Sequence, residues 1–196
     1  MGMSRNRDHA AASTKALQWS IWILAGGQSR RMGRDKSRIR LAGKSLLAHV
    51  RSAAESTGWP VRVIRKDAVT RCGPLGGMLT ALQRSRSDWN LFLSCDQPLL
   101  SVEILERLMN SAAGKRKATF VRTSEGFGFP CVIAASNRSA LERLVASGKP
   151  SLQRLAGLLG AQALWLPRRL ADCLTNINPP AELAVVRRML LRARSA

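Results

Sequence analysis

LAGGQSRRMGRDK, Leu24 to Lys36, follows directly on the apolar run Trp19 to Ile23. An apolar run broken by paired glycines and then by fixed positive charge reads as a buried strand opening into a ligand-facing loop. Gly26 and Gly27 let backbone N–H groups approach a ligand where a Cβ would collide. Arg30, Arg31 and Lys36 bring cationic groups suited to a polyphosphate, and arginine can engage two oxygens at once. The alternative is an ordinary strand-to-helix turn with a solvated basic face. The spacing matches neither G-x-G-x-x-G nor G-x-x-x-x-G-K-[ST], so any nucleotide site here follows a different plan.

The chain continues in the same rhythm. Ser45 caps a predicted helix through Thr57 that Gly58 and Pro60 close, and Val61 to Ile64 reads as a short strand. Cys72 to Gly77 is expected to be a tight loop, Met78 to about Arg84 a helix, and Leu91 to Ser94 a buried strand ending at Cys95-Asp96-Gln97-Pro98. A helix is expected from Ser101 to about Ala112. Strands are expected at Ala118 to Arg122, Cys131 to Ala134 and Gln162 to Leu166, with a glycine-rich aromatic turn at Glu125 to Pro130. Asn137 to Ala146, Ser151 to about Leu159 and Pro180 to about Leu191 read as helices. This alternation predicts a three-layer, doubly wound α/β fold with a mostly parallel sheet, whose ligands sit beyond the carboxyl ends of its strands.

Composition sets outer limits. The 196 residues, 45% of them hydrophobic, suffice for one domain over 18–196 behind a flexible polar tail over 1–17. No apolar run approaches membrane-spanning length, and the four cysteines are scattered singly, so a cytoplasmic protein without membrane association is expected. The net charge of +20 predicts attraction to polyanions in general. Aromatic residues are few, which argues against a stacking platform for nucleic acid and against specific nucleic-acid binding.

Asp96, at the end of an apolar strand, stands where a carboxylate can hold Mg²⁺ against phosphate oxygens, although a lone aspartate there is more often a turn or capping residue. Asn176 and Asn178, just before the last predicted helix, read by themselves as Asx-turn caps. His49 lies within the first helix without a catalytic partner in sequence.

The quoted loop resembles the signature L-A-G-G-x-S-x-R-M-G-x-D-K of the molybdenum cofactor guanylyltransferase family, within the MobA-like nucleotidyltransferases. Three further blocks, GPLGGMLTAL (Gly73 to Leu82), SCDQPLL (Ser94 to Leu100) and LTNINPPAEL (Leu174 to Leu183), look like later family blocks in the same order. The resemblance implies a Rossmann-like, nucleotide-diphospho-sugar transferase fold. It also implies transfer of GMP from GTP to molybdopterin or Mo-molybdopterin, with release of pyrophosphate. By the same resemblance Leu24, Ala25 and Gly26 contact nucleotide, Lys36 its phosphates, and Asp96 both nucleotide and Mg²⁺. The stretch Gly73 to Gly77, including Gly76, lines the base pocket, and Asn176 and Asn178 face the molybdopterin. A molybdoenzyme or its chaperone is a partner the family suggests.

Two departures accompany the resemblance. The family has two strands between the first helix and the second block. Here only Pro60 to Asp67 is available, with no asparagine to assign and with Lys66 or Asp67 at the position of a nucleotide-contacting aspartate. Phe129 stands where relatives keep a substrate-facing histidine or glutamine before proline. A molybdopterin cytidylyltransferase or another MobA-like nucleotidyltransferase, and a non-catalytic nucleotide or nucleic-acid binder on the same scaffold, are the alternatives these departures leave open.

Overall fold

The computed structural model describes residues 17–26, 39–69, 72–112 and 117–177. A six-stranded sheet runs in the order β4-β1-β5-β7-β6-β8. Its strands are β1 (Trp19–Leu24), β4 (Val61–Ile64), β5 (Trp89–Ser94), β6 (Ala118–Thr123), β7 (Gly126–Ala134) and β8 (Gln162–Leu164). β1 pairs in parallel with β4 and β5, and β6 in parallel with β8; β7 alone runs the other way, antiparallel to both β5 and β6. A small hairpin of β2 (Arg40–Leu41) and β3 (Lys44–Ser45) precedes the first helix.

Strand alternation explains the three layers. Along β1, Trp19, Ile21 and Ile23 face one core, shared with α1 (Leu46–Glu55), α3 (Val102–Ser111) and Leu170 of the short α6 (Arg168–Ala171). Trp22 and Leu24 face the other, shared with α2 (Pro74–Arg84), α4 (Arg138–Ala146) and α5 (Leu152–Leu158). Successive strand side chains point to opposite faces, and covering both excludes water from the strands between. The chain leaves β1 over one face through α1 to β4, then returns over the other through α2 to β5. β1 is therefore the switch point, and its carboxyl end the natural place for a ligand.

Within the second core, the Trp22 indole donates to the Asn90 Oδ1 at 2.9 Å, linking β1 to β5 through a fully buried amide. His49 is structural: its Nε2 bonds the Leu41 carbonyl at 2.8 Å and holds the β2–β3 hairpin onto α1. Ser45 caps α1 as the sequence predicts, its hydroxyl accepting from Ala48 N–H at 3.1 Å.

Two expected boundaries are wrong by more than two residues. α2 begins at Pro74, inside the stretch read as a tight loop. Proline fits a first helical turn, and Gly76 and Gly77 are helical residues whose missing side chains admit a neighbouring segment. β7 begins at Gly126, inside the stretch read as an aromatic turn. Gly126 pairs with Thr123, and the Gln153 carboxamide bonds both the N–H and the C=O of Phe127, at 2.9 and 2.7 Å. The strand is thus held by a side-chain amide acting as a strand neighbour. Residues 1–16 of the predicted 1–17 tail and the closing helix lie outside the described residues, and among the described residues no helix is long and apolar enough to cross a membrane.

Replacing Asn90 with alanine leaves the Trp22 N–H without its partner in a dry core. This should lower unfolding free energy by about 1–3 kcal/mol, measured by urea denaturation, with the sheet's circular dichroism retained.

Candidate functional site

Three loops meet beyond the carboxyl ends of β4, β1 and β5. The ladder continues into them: Ala25 N–H donates to the Ile64 carbonyl at 2.8 Å and Cys95 N–H to the Leu24 carbonyl at 3.3 Å. Leu24, Ala25 and Gly26 consequently lie between the segment after β4 and the turn carrying Asp96, as the parallel order requires.

The segment after β4 is wedged between β1's loop and α2. A Cβ on Gly26 would lie 2.7 Å from the Arg65 carbonyl oxygen, and one on Gly76 would lie 2.6 Å from the Val69 carbonyl oxygen. A Cβ on Gly77 would meet an Asp67 carboxylate oxygen at 3.1 Å. These approaches bring the half-buried Asp67 side chain against the backbones of both Gly26 and α2. Thr80 closes the wedge, donating its hydroxyl to the Gly76 carbonyl at 2.8 Å while accepting from Ala68 N–H at 2.9 Å. Burial pushes the Asp67 carboxyl above its ordinary pKa. Gly76 is buried under this segment, so its part in the site is to let Asp67 in.

Asp96 is half buried in the turn after β5, where the Ser94 hydroxyl donates to its Oδ1 at 2.5 Å. Its backbone carbonyl accepts from Ile177 N–H at 2.9 Å, which sets the exposed Asn176 beside the Asp96 turn. Ile177 is 1% exposed and packs with Leu41 and Leu46, with Ile39 and Leu99 alongside. The end of the described chain is therefore pinned to the site at Ile177 by a backbone hydrogen bond and a buried side chain. Phe129 is half buried at the start of β7.

Of the residues singled out in the sequence, Leu24, Ala25, Gly26, Asp67, Gly76, Asp96 and Asn176 gather at this edge. Gly27, Arg31, Lys36 and Asn178 lie outside the described residues. Lys66 and Arg65 are exposed just before Asp67, and β4 is the single strand between α1 and α2 among the described residues, at the sheet's edge. The buried Gln97 went unnoticed in the sequence; its place between Asp96 and Pro98 was the only available signal.

The arrangement is that of a doubly wound α/β protein with a candidate ligand site at its switch point, where Gly26, Asp67 and Asp96 lie at one edge of the sheet. The MobA-like NTP transferase domain matches residues 21–164, and the chain belongs to that family of nucleotidyltransferases. It is 32% identical to the molybdenum cofactor guanylyltransferase of Pseudomonas putida, covering 84% of this chain and 95% of that protein. It is 30% identical to the one from Haemophilus influenzae, covering 68% and 79%. Among solved structures, molybdopterin-guanine dinucleotide biosynthesis protein A from Archaeoglobus fulgidus shares the fold with a TM-score of 0.70 at 20% identity, covering 88% of this chain and 99% of that one. A 2-C-methyl-D-erythritol 4-phosphate cytidylyltransferase from Thermus thermophilus does so with a TM-score of 0.67 at 16% identity, covering 90% and 100%.

Two measurements check the wedge. Gly76→Ala drives a methyl into the Val69 carbonyl and should cost about 1–3 kcal/mol. Gly157→Ala, in α5 with nothing within 4 Å of the new methyl, should stabilise by about 0.5–1 kcal/mol; thermal melts of the two variants should move in opposite directions.

Because the Asp67 carboxyl titrates higher folded than unfolded, the folded state binds more protons across that window, and stability falls as pH rises through it. Asp67→Asn should therefore be more stable than the parent at pH 7. The gap should close as pH drops below the ordinary carboxylate range, as read from paired denaturation curves.

Proposed function

We propose that the protein transfers GMP from GTP to molybdopterin, forming the guanine dinucleotide cofactor and releasing pyrophosphate. The observation that carries this reading is the meeting of two recognition elements at Asp96. The end of β1, through the Leu24 carbonyl bonded to Cys95 N–H, lies on one side of its turn, and on the other the segment of Asn176 is hydrogen-bonded to its backbone.

In the reaction the acceptor's terminal phosphate oxygen attacks the α-phosphorus of GTP in line. The new P–O bond joins GMP to the acceptor, and the bond to the β-phosphate bridging oxygen breaks as pyrophosphate departs with the electron pair. No protein nucleophile is required. The chain's task is to hold two anions in line and to stabilise the charge that develops. Leu24, Ala25, Gly26 and Gly27 would present backbone groups to the nucleotide, and Asp67 would accept a hydrogen bond from its ribose or base. Arg31 and Lys36 would neutralise the phosphates as catalytic residues, and Asn176 and Asn178 would hold the acceptor.

Mg²⁺ suits the donor set at the turn after β5. It binds through one or two carboxylates plus substrate phosphates rather than in an all-protein cage. Among the described residues no cluster of three or more ligating side chains exists, while the Asp96 carboxylate is a hard oxygen donor beside the site. When bound, the ion would neutralise phosphate charge and the leaving pyrophosphate. Ser94 would orient the Asp96 carboxylate through its hydroxyl. A cytoplasmic location, where GTP is supplied, fits this chemistry, and a molybdoenzyme or its chaperone would receive the product.

A thermal-shift series with GTP, CTP, ATP and UTP, each with and without Mg²⁺, tests the nucleotide, since a ligand of the folded state raises Tm. GTP with Mg²⁺ should give the largest shift; a shift confined to CTP would make the enzyme a cytidylyltransferase, and none with any nucleotide would overturn the reading. Asp96→Ala should retain the fold and lose about 10²–10³-fold in transfer rate, measured by release of pyrophosphate with molybdopterin as acceptor.

A further inference from the structure

The turn that carries Asp96 contains a second polar side chain that the reaction outlined above leaves unused. Gln97 is 4% exposed, and its Nε2 donates two hydrogen bonds, to the Phe129 carbonyl at 3.1 Å and to the Leu174 carbonyl at 3.2 Å. Its Oε1 is buried without a partner.

The place of these bonds explains what they do. The antiparallel ladder between β5 and β7 runs from Trp89↔Ala134 to Phe92↔Cys131 and ends there. Past that point the start of β7 has no strand neighbour on the β5 side, and Gln97 supplies a side-chain donor to the Phe129 carbonyl. Its other N–H reaches Leu174, 77 residues further along the chain, at the start of the segment that carries Asn176. The neighbouring Asp96 carbonyl takes Ile177 N–H. Two adjacent residues of one turn thus hold both ends of the segment Leu174 to Ile177, and one of them also holds the start of β7.

Among uncharged side chains of this length, a carboxamide meets this need. It offers two N–H bonds from one nitrogen, whereas an ionised carboxylate offers acceptors alone and a thioether offers no donor. A buried donor pair shared between two distant carbonyls is worth retaining for geometry as well as stability, because loss of the side chain leaves both carbonyls unpaired.

We propose that Gln97 is a positioning residue for the acceptor: it fixes the Phe129 strand and the Asn176 segment relative to Asp96, and so sets where the phosphorylated acceptor lies against the nucleotide. The acceptor half of this inference rests on the transferase reading given above. The nucleotide contacts expected of Leu24 to Gly27 and Asp67 do not depend on Gln97, which separates its effect from that of a general loss of structure.

The test uses the full chain and Gln97→Met, which keeps the volume and removes both donors. Hydrogen–deuterium exchange is followed on the peptide containing Leu174 to Ile177. Kd for Mg-GTP and KM for molybdopterin are measured on the same protein. Exchange at this segment should quicken about tenfold and acceptor KM should rise about tenfold, with the GTP Kd within twofold of the parent. Unchanged exchange would overturn the proposal, as would equal loss of GTP and acceptor affinity, or a quickened segment with unaltered acceptor KM. Should the methionine variant fail to fold, Gln97→Asn keeps the amide but is too short for both carbonyls, and the same outcomes apply. If the parent protein transfers GMP to no acceptor, the functional reading has failed, and the exchange result alone decides whether Gln97 positions the segment.

Discussion

Three absent side chains determine how the candidate site is built. The segment after β4 runs so close to β1's loop and to α2 that methyl groups at Gly26 and Gly76 would overlap backbone oxygens at 2.7 and 2.6 Å, and one at Gly77 would crowd the Asp67 carboxylate. Backbone cannot yield as a flexible side chain can, so Gly26 and Gly76 admit hydrogen only, while a methyl at Gly77 would require the Asp67 and Leu24 side chains to shift. What they permit is a carboxylate drawn partly out of water against two backbones. The desolvation that raises the Asp67 pKa and the packing that places it are the same event.

Much of the fold was legible because buried strands and capped helices leave local marks. The apolar run at Trp19 to Ile23 identified β1, Ser45 marked the start of α1, and the order of elements implied a sheet covered on both faces. The misread boundaries share one cause: in each, glycine and proline were taken as punctuation. At Gly76 and Gly77 the glycines serve a neighbour distant in sequence, and no local pattern announces that neighbour. At Gly126 to Pro130 the strand is completed by Gln153, whose amide substitutes for a strand that the sequence has no way to advertise.

The candidate site divides along the same line. Leu24 to Gly26 and Asp96 were readable because each ends a strand, and parallel strands deliver their ends to one edge. Gln97 was invisible because its bonds span 32 and 77 residues, and the neighbouring Asp96 and Pro98 drew the reading. The family signature supplied Asn176, whose closeness to Asp96 depends on one backbone hydrogen bond and on Ile177 filling a small apolar cluster.

The reversal of β7 also bears on how the sheet assembles. β6 follows α3 directly in the chain, yet it lies a full strand's width away from β5, and β7 occupies the slot between them. Until the hairpin of β6 and β7 folds inward, β4-β1-β5 and β6-β8 are two separate ribbons with no shared ladder. Every ladder contact between the two ribbons is long in sequence, and such contacts incur their chain-closure entropy before they return any enthalpy. This one strand thus joins two half-sheets into a continuous hydrogen-bonded surface.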